Sequence, residues 1–368
     1  LTGDADRWPP HPRRAPDLLG HAAAERAFLD AWTSGRMPHA WLIGGVAGIG
    51  KATFAYRCAR FVLAEGGGAG RDAGLFGAPP PPASLDVPPD HPAALRMASG
   101  GHGNLLVVER TWDEKRKRAR REIVVDDARR IVPFLRQTAS EDGWRIVLVD
   151  GADSMNPQSQ NAVLKLLEEP PARALLLLTA DNVGAMLPTI RSRCRKLRLE
   201  PLGDADLAAL LARHLPDAPA DERAALARLA EGSVGRALAI HGAGGIGLYA
   251  AVAEVLAAMP GLPTAAAHAF ADRFVRRDAD ALWDAATEMI VWWLARLVRQ
   301  LAEGRAEPEI VPGDGAVAAR LMGRPGALER WVAVWENVAR LFVRADAANL
   351  DRRQAMLTAL GTIGAAAA

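Results

Sequence analysis

The sequence predicts an α/β domain with a mostly parallel sheet, followed by a small and then a larger all-helical region. Three observations carry this. Short apolar runs of strand length alternate with stretches of helical spacing as far as Pro201. One of those runs leads directly into a glycine-rich loop and a helix, and beyond Pro201 the strand-like runs stop while helical spacing continues to the C-terminus. With 368 residues, 50% of them hydrophobic, the chain holds enough for two or three domains with cores of their own.

A net charge of +2 and a pI near 8.7 give no large field of either sign, so partners have to be argued from local features. The two cysteines, Cys58 and Cys194, exclude a disulfide framework and a four-cysteine zinc site from this chain, and fit a reducing cytoplasm. Arg13-Arg14 is followed by Ala15-Pro16-Asp17 and not by an apolar segment, and no run of about 18 apolar residues occurs. The expectation is a soluble, unexported, cytoplasmic protein with no membrane partner.

In order along the chain, residues 1–16, rich in Pro, Arg and His, are expected to be irregular, and 18–32 has helical spacing through Leu19, Ala23, Ala27 and Trp32. Trp41 to Ile43 reads as a buried strand. Gly45, Gly48, Gly50 and Lys51 then complete G-x-x-x-x-G-K, and a helix follows. In this strand-loop-helix setting the glycines let backbone N–H groups turn inward around phosphate oxygens, while the lysine and the helix N-terminus add positive charge. Residues 65–103 turn to Gly, Ala and Pro and lose periodicity, as an inserted mobile loop would.

Leu105 to Val108 reads as the next strand. After it, six of the seven residues from Lys115 to Arg121 are basic, read as a solvated hairpin tip in preference to a contact for DNA or an acidic partner. Ile123 to Val125 reads as a short strand, with Asp126 or Asp127 capping a helix that Pro133 kinks or delays. Ile146 to Val149 suits a central parallel strand and delivers Asp150 to its carboxyl end, where α/β sites are built. Asn156 caps a helix ended by Pro170-Pro171, Leu175 to Leu178 forms a strand ending at Thr179, and Leu197 and Leu199 alternate in a last one. Two short helices are expected over 204–214 and 221–231, with a third opening at Gly232-Ser233-Val234-Gly235. The stripes Leu282, Ala286, Met289, Trp293, Leu297, Leu301 and Leu328, Trp331, Trp335, Val338, Phe342 are read as helix-packing faces, not a ligand pocket.

A phosphate loop with an aspartate after a distant apolar strand is the layout of nucleotide hydrolases, the aspartate orienting magnesium. Asp150 suits that role, and ATP or ADP is the implied ligand. Two parts are altered. Ala52 stands where a Ser or Thr hydroxyl helps hold magnesium, and Thr53, one residue on, is displaced by about 100° around the helix. Gly151 stands where a water-polarising glutamate often follows the aspartate, and Asp153 lies too far along to replace it. Little or no hydrolysis by this chain alone is expected.

Three later segments narrow the reading. They are Asn161 to Pro171 (NAVLKLLEEPP), Thr189-Ile190-Arg191-Ser192-Arg193-Cys194 and Gly232 to Leu238 (GSVGRAL), joined by Pro38-His39-Ala40-Trp41 ahead of the loop and Asn349 to Gln354 (NLDRRQ) near the end. In this order they resemble the clamp-loader subunits of bacterial DNA polymerase III, over nearly the whole chain. The resemblance implies an AAA+ (RecA-like) P-loop core over 1–200, a small helical lid over 201–243 and an all-α collar over 244–368. It implies a hetero-pentamer with the gamma/tau and delta subunits that loads the sliding clamp onto primer-template DNA at the expense of ATP, polymerase chemistry belonging to another subunit.

By the same resemblance, Arg193 is an arginine finger reaching a neighbour's nucleotide, shaped by Ser192 and Cys194, in preference to a residue paired with a local carboxylate. Arg236 is the second sensor for this chain's own nucleotide, and Thr179 lies near the first sensor position. Zinc cysteines common in the family are missing from 65–103, so no zinc and no other bound metal is expected. Ala52 and Gly151 against an intact Arg193 favour a stator and finger donor over a gamma/tau-type motor or a non-replicative nucleotide-sensing or DNA-binding AAA+ module.

Overall fold

The computed structural model describes residues 11–15, 17–66, 81–113, 118–119, 122–136, 143–276, 279–322 and 326–368, which form two compact units. The first comprises residues 1–210 with 231–235, and the second 211–230 with 236–368.

The first unit is built on five parallel strands: β1 (Ala40–Gly44), β2 (Leu105–Val108), β5 (Arg145–Val149), β6 (Ala174–Ala180) and β7 (Arg195–Arg198), in the order β2-β5-β6-β1-β7. Two-residue strands β3 (Trp112–Asp113) and β4 (Arg118–Ala119) pair antiparallel beside it. The remainder of the basic run, 115–117 and 120–121, lies outside the described residues.

Side chains alternate between the two faces of the sheet, and each face has its own core. Trp41, Ile43, Ile146, Leu148, Leu175 and Leu177 join α1 (Ala22–Thr33), α2 (Lys51–Glu65) and α3 (Pro92–Ala98) on one side. Leu42, Val147, Val149, Leu176 and Leu178 join α4 (Val125–Arg129), α5 (Ile131–Arg136), α6 (Pro157–Glu168) and α7 (Pro188–Arg193) on the other. Covering both faces is why these strands read as unbroken apolar runs.

Two expectations need correction. The stretch 65–103 is not structureless where described: His91 accepts from the N–H of Ala93, Pro92 starts α3, and Leu85 and Met97 are about 1% exposed within the core. Nor is Ile123 to Val125 a strand. Ile123 makes a single bridge to Met155, Val124 caps α4 without a side-chain bond, and Asp126 and Asp127 sit in the first turn. Pro133 does break the helix there, since its ring opposes the carbonyl four residues back and α4 ends at Arg129. Asn156 caps α6 as expected, accepting from the Ser159 N–H at 2.9 Å.

Helix α8 (Asp204–His214) is shared between the units. The second unit holds α9 (Ala220–Ala230), α11 (Gly245–Ala257), α12 (Thr264–Asp272), α13 (Asp280–Glu303), α14 (Asp314–Met322), α15 (Ala327–Ala347) and α16 (Arg352–Ala367), with most of α10 (Val234–Gly242). The tryptophan stripes are packing faces: Trp283, Trp293, Trp331, Val338 and Phe342 are buried where α13 meets α15. Among the described residues no single helix is long and apolar enough to cross a membrane.

Candidate functional site: a phosphate-loop cradle and an exposed arginine

Parallel register brings the carboxyl ends of β1, β5 and β6 side by side, with Ile43 beside Thr179 and Val149 beside Leu178. The loop that leaves β1 is held from outside through three consecutive carbonyls. Ser233 Oγ donates to the Ala47 carbonyl at 2.7 Å, the Gly235 N–H to that of Gly48 at 2.9 Å, and His21 Nε2 lies 2.7 Å from that of Ile49. Tying carbonyls outward leaves the N–H side of the turn to face the cradle, the arrangement that suits an anion. Gly48 and Gly50 adopt φ of 76° and 106°, which residues with a side chain rarely do.

Gly235 is a glycine for a different reason. A Cβ there would lie 2.7 Å from Gly48 Cα, so the Gly-Ser-Val-Gly turn approaches the loop backbone to backbone. Ser233 and His21 were not singled out as site residues by sequence reasoning. Their signal was only a place in the Gly232 to Leu238 segment for the serine and none for the histidine, whose contact spans 28 positions.

Lys51 is 7% exposed and points into the cradle, where its Nζ lies 2.6 Å from both the Val46 carbonyl and Asp181 Oδ1. Asp150 does not meet Lys51 but accepts from Thr179 Oγ1 at 2.7 Å, and that hydroxyl accepts from the Gly151 N–H at 2.8 Å. Thr179 thus ties β6 to the end of β5, beside the cradle. Asp153 accepts from the N–H groups of Asp181 and Asn182 at 3.0 and 2.8 Å, which consumes one of its carboxylate oxygens in a turn. The glycines, Lys51 and the first N–H groups of α2 fit a phosphate. The magnesium half is incomplete, because Ala52 offers no oxygen.

The Ser-Arg-Cys segment ends α7. Cys194 is buried in the core on the α6 and α7 face of the sheet and desolvation pushes its thiol up to about 12, so it is an inert packing group. Ser192 Oγ donates to the Thr189 carbonyl at 3.1 Å. Arg193, between them, is 36% exposed. Its guanidinium donates to the Thr189 carbonyl at 3.0 Å and meets Glu168 of the Leu-Glu-Glu-Pro-Pro segment at 3.0 Å. The local carboxylate contact, placed second from sequence, is therefore present in the isolated chain, with a partner that is 51% exposed. Arg236 belongs to the helical unit, where its Nε lies 2.9 Å from Glu288 Oε1.

Comparisons with known proteins give the chain's relatives. The family model described as DNA polymerase III, delta subunit, matches residues 85–203. DNA polymerase III subunit delta' of Pseudomonas aeruginosa is 35% identical over 206 residues, 56% of this chain and 56% of that protein. The chain resembles DNA polymerase III clamp-loader subunits. DNA polymerase III subunit gamma of Buchnera aphidicola (subsp. Schizaphis graminum) is 25% identical over 203 residues, 55% of this chain and 49% of that subunit. A gamma subunit-related protein of Thermotoga maritima, of known structure, is 19% identical, with 93% of this chain and 100% of that chain covered and a TM-score of 0.38. The chain spans about half the length of the curated relatives it matches. The resemblance to DNA polymerase III subunits read from the motifs is matched by these relatives.

Proposed function

We propose that this chain is a delta prime-type subunit of the DNA polymerase III clamp loader, a stator that donates Arg193 in trans to a neighbouring subunit's ATP site. In this reading the AAA+ core is 1–200, the lid 201–243 and the collar 244–368. Gamma/tau and delta subunits complete a cytoplasmic hetero-pentamer that acts on the sliding clamp and primer-template DNA. One observation carries the reading: the exposed Arg193 guanidinium, on a segment anchored by a buried Cys194, coexists with a cradle that lacks the Ala52-position hydroxyl and a glutamate at Gly151.

The chemistry is electrostatic. A guanidinium laid on the γ-phosphate offsets charge that spreads over its oxygens in the transition state, and such fingers are worth on the order of 10³ to 10⁵ in rate. Within this chain's own site, the glycines and Lys51 would hold phosphates, Asp150 and Thr179 would line the magnesium side, and Arg236 would be the second sensor. Ser192 and Cys194 set the direction of the finger.

The similarity to gamma subunits keeps a motor reading as the second one, and one experiment separates them. In a loader reconstituted with its clamp and primed DNA, Arg193→Ala is expected to lower ATPase at least a hundredfold at the finger-dependent site while assembly is retained. The purified chain alone is expected to turn over ATP negligibly. Unchanged loader ATPase would end the finger assignment, and sustained hydrolysis by the chain alone, abolished by Lys51→Ala, would favour the motor.

A further inference from the structure

The cradle holds a carboxylate of its own. In this chain Lys51 reaches Asp181, which follows β6, while Asp150 is engaged by Thr179. Both atoms on Lys51 Nζ, Asp181 Oδ1 and the Val46 carbonyl, are acceptors at 2.6 Å, as phosphate oxygens would be. Lys51 Nζ has three N–H donors and these acceptors take two, so a phosphate that engages the ammonium with more than one oxygen must displace one of them, and Asp181, held by its side chain, is the one that can swing away. We propose that Asp181 is an internal competitor for the phosphate cradle, and that nucleotide binds only by displacing it from Lys51.

Two further contacts show that Asp181 is delivered there by its backbone. Asp153 Oδ2 takes the N–H groups of Asp181 and Asn182, and Asn182 Oδ1 takes the N–H of Gly184 at 2.9 Å, so the turn is pinned at both ends. A pinned backbone loses little further entropy when its side chain pairs, which favours the contact over a free surface carboxylate. Asp153 is accordingly a positioning residue for Asp181. The residue weighed from sequence as a replacement general base instead has a carboxylate oxygen committed to holding the competitor in place.

Asp181 is 58% exposed, so it can swing into solvent without leaving a buried charge unpaired. Displacement is therefore cheap, and the competitor sets an affinity threshold without sealing the site. The ligand class favoured is one that brings several negative charges at once, a nucleoside di- or triphosphate over a monophosphate or inorganic phosphate.

The inference rests on the cradle's being a nucleotide site, and the test separates the two. The full chain and its Asp181→Asn, Asp153→Ala and Lys51→Ala variants would be titrated with a fluorescent ADP analogue and with ATP, with melting temperatures as the folding control. Asp181→Asn is expected to bind about twofold to fivefold more tightly, the range of one partly exposed ion pair. Asp153→Ala is expected to tighten binding by a smaller factor, whereas damage to the turn as a structural element would weaken it. Lys51→Ala is expected to bind neither ligand. If Asp181→Asn binds as the unmodified chain does, or more weakly, while Lys51→Ala abolishes binding, the competitor is overturned and the nucleotide site stands. If no variant binds nucleotide, both are overturned.

Discussion

Arg296 in the helical unit and Arg193 in the sheet unit are the same side chain put to opposite ends. Arg296 is 3% exposed and held mainly from within: it donates to Asp314 at 2.9 Å and to the Pro308 carbonyl at 2.7 Å, and its Nε lies 3.3 Å from the Glu307 carboxylate, with the Trp292 ring 5.6 Å beneath. Tyr249 donates to the same Asp314 oxygen at 2.8 Å, and burial, with that carboxylate, pushes its phenol well above the usual range. Arg193 has one carbonyl and one hydroxyl of its own helix and one exposed carboxylate. A buried arginine must have its charge and donors matched within the chain, whereas an exposed one can exchange its partner at little cost. The first is architecture, and the second is available to another molecule.

The largest effect that would test this contrast lies at Asp314, which is 2% exposed. Asp314→Ala leaves Arg296 its backbone carbonyl partners but only the outer Glu307 as a carboxylate, and should cost about 3–5 kcal/mol in urea unfolding. Arg193→Ala should cost under about 0.5 kcal/mol in the same measurement. Equal losses would remove the distinction. A smaller effect is expected at the cradle, where Gly235→Ala places a Cβ 2.7 Å from Gly48 Cα and 3.1 Å from its carbonyl oxygen. Backbone has to move to admit it, at about 1–3 kcal/mol, and the hydrogen bond from Gly235 to Gly48 should be lost, visible as faster amide exchange at Gly235.

What was legible in the sequence follows the same division. Strands β1, β2, β5 and β6 can be placed to within a residue or two, because a parallel strand buried on both faces is a continuous apolar run. Asp150 and Lys51 could be read for the same reason, standing at the ends of such runs. Helix α3 was hidden in a stretch whose composition is that of a loop, although His91-Pro92 is a start signal. Three β-branched or apolar residues at Ile123 looked like a strand but meet only one bridging partner. Asp181 and His21 could not be read at all, and Glu168, though inside the Asn161 to Pro171 segment, could not be read as the partner of Arg193. Each becomes a partner only through the strand order or through packing between distant segments, and neither leaves a periodic trace.

A still smaller effect concerns Cys194, next to the arginine it steadies. Its folded pKa, about 12, lies above that of an unfolded thiol, about 8.5, so the folded state keeps the proton longer. Stability from this group is complete below about pH 8.5 and declines as pH rises through the folded value. Unfolding at pH 7.5 and pH 10 should show that loss in the native chain and less of it in Cys194→Ala. Iodoacetamide at pH 8 should modify Cys194 at least tenfold faster in urea than in buffer.

The smallest effect belongs to Glu168. Its pair with Arg193 joins two side chains that are 51% and 36% exposed, the class of ion pair worth about 0–1 kcal/mol and screened by salt. Glu168→Gln should therefore shift unfolding by under about 0.5 kcal/mol, and less in 0.5 M salt than at low salt. A loss of several kcal/mol would mean that Arg193 is held as Arg296 is held, with no freedom to serve a neighbour. A small loss leaves the guanidinium able to change partners, which is the physical condition that any role outside this chain requires.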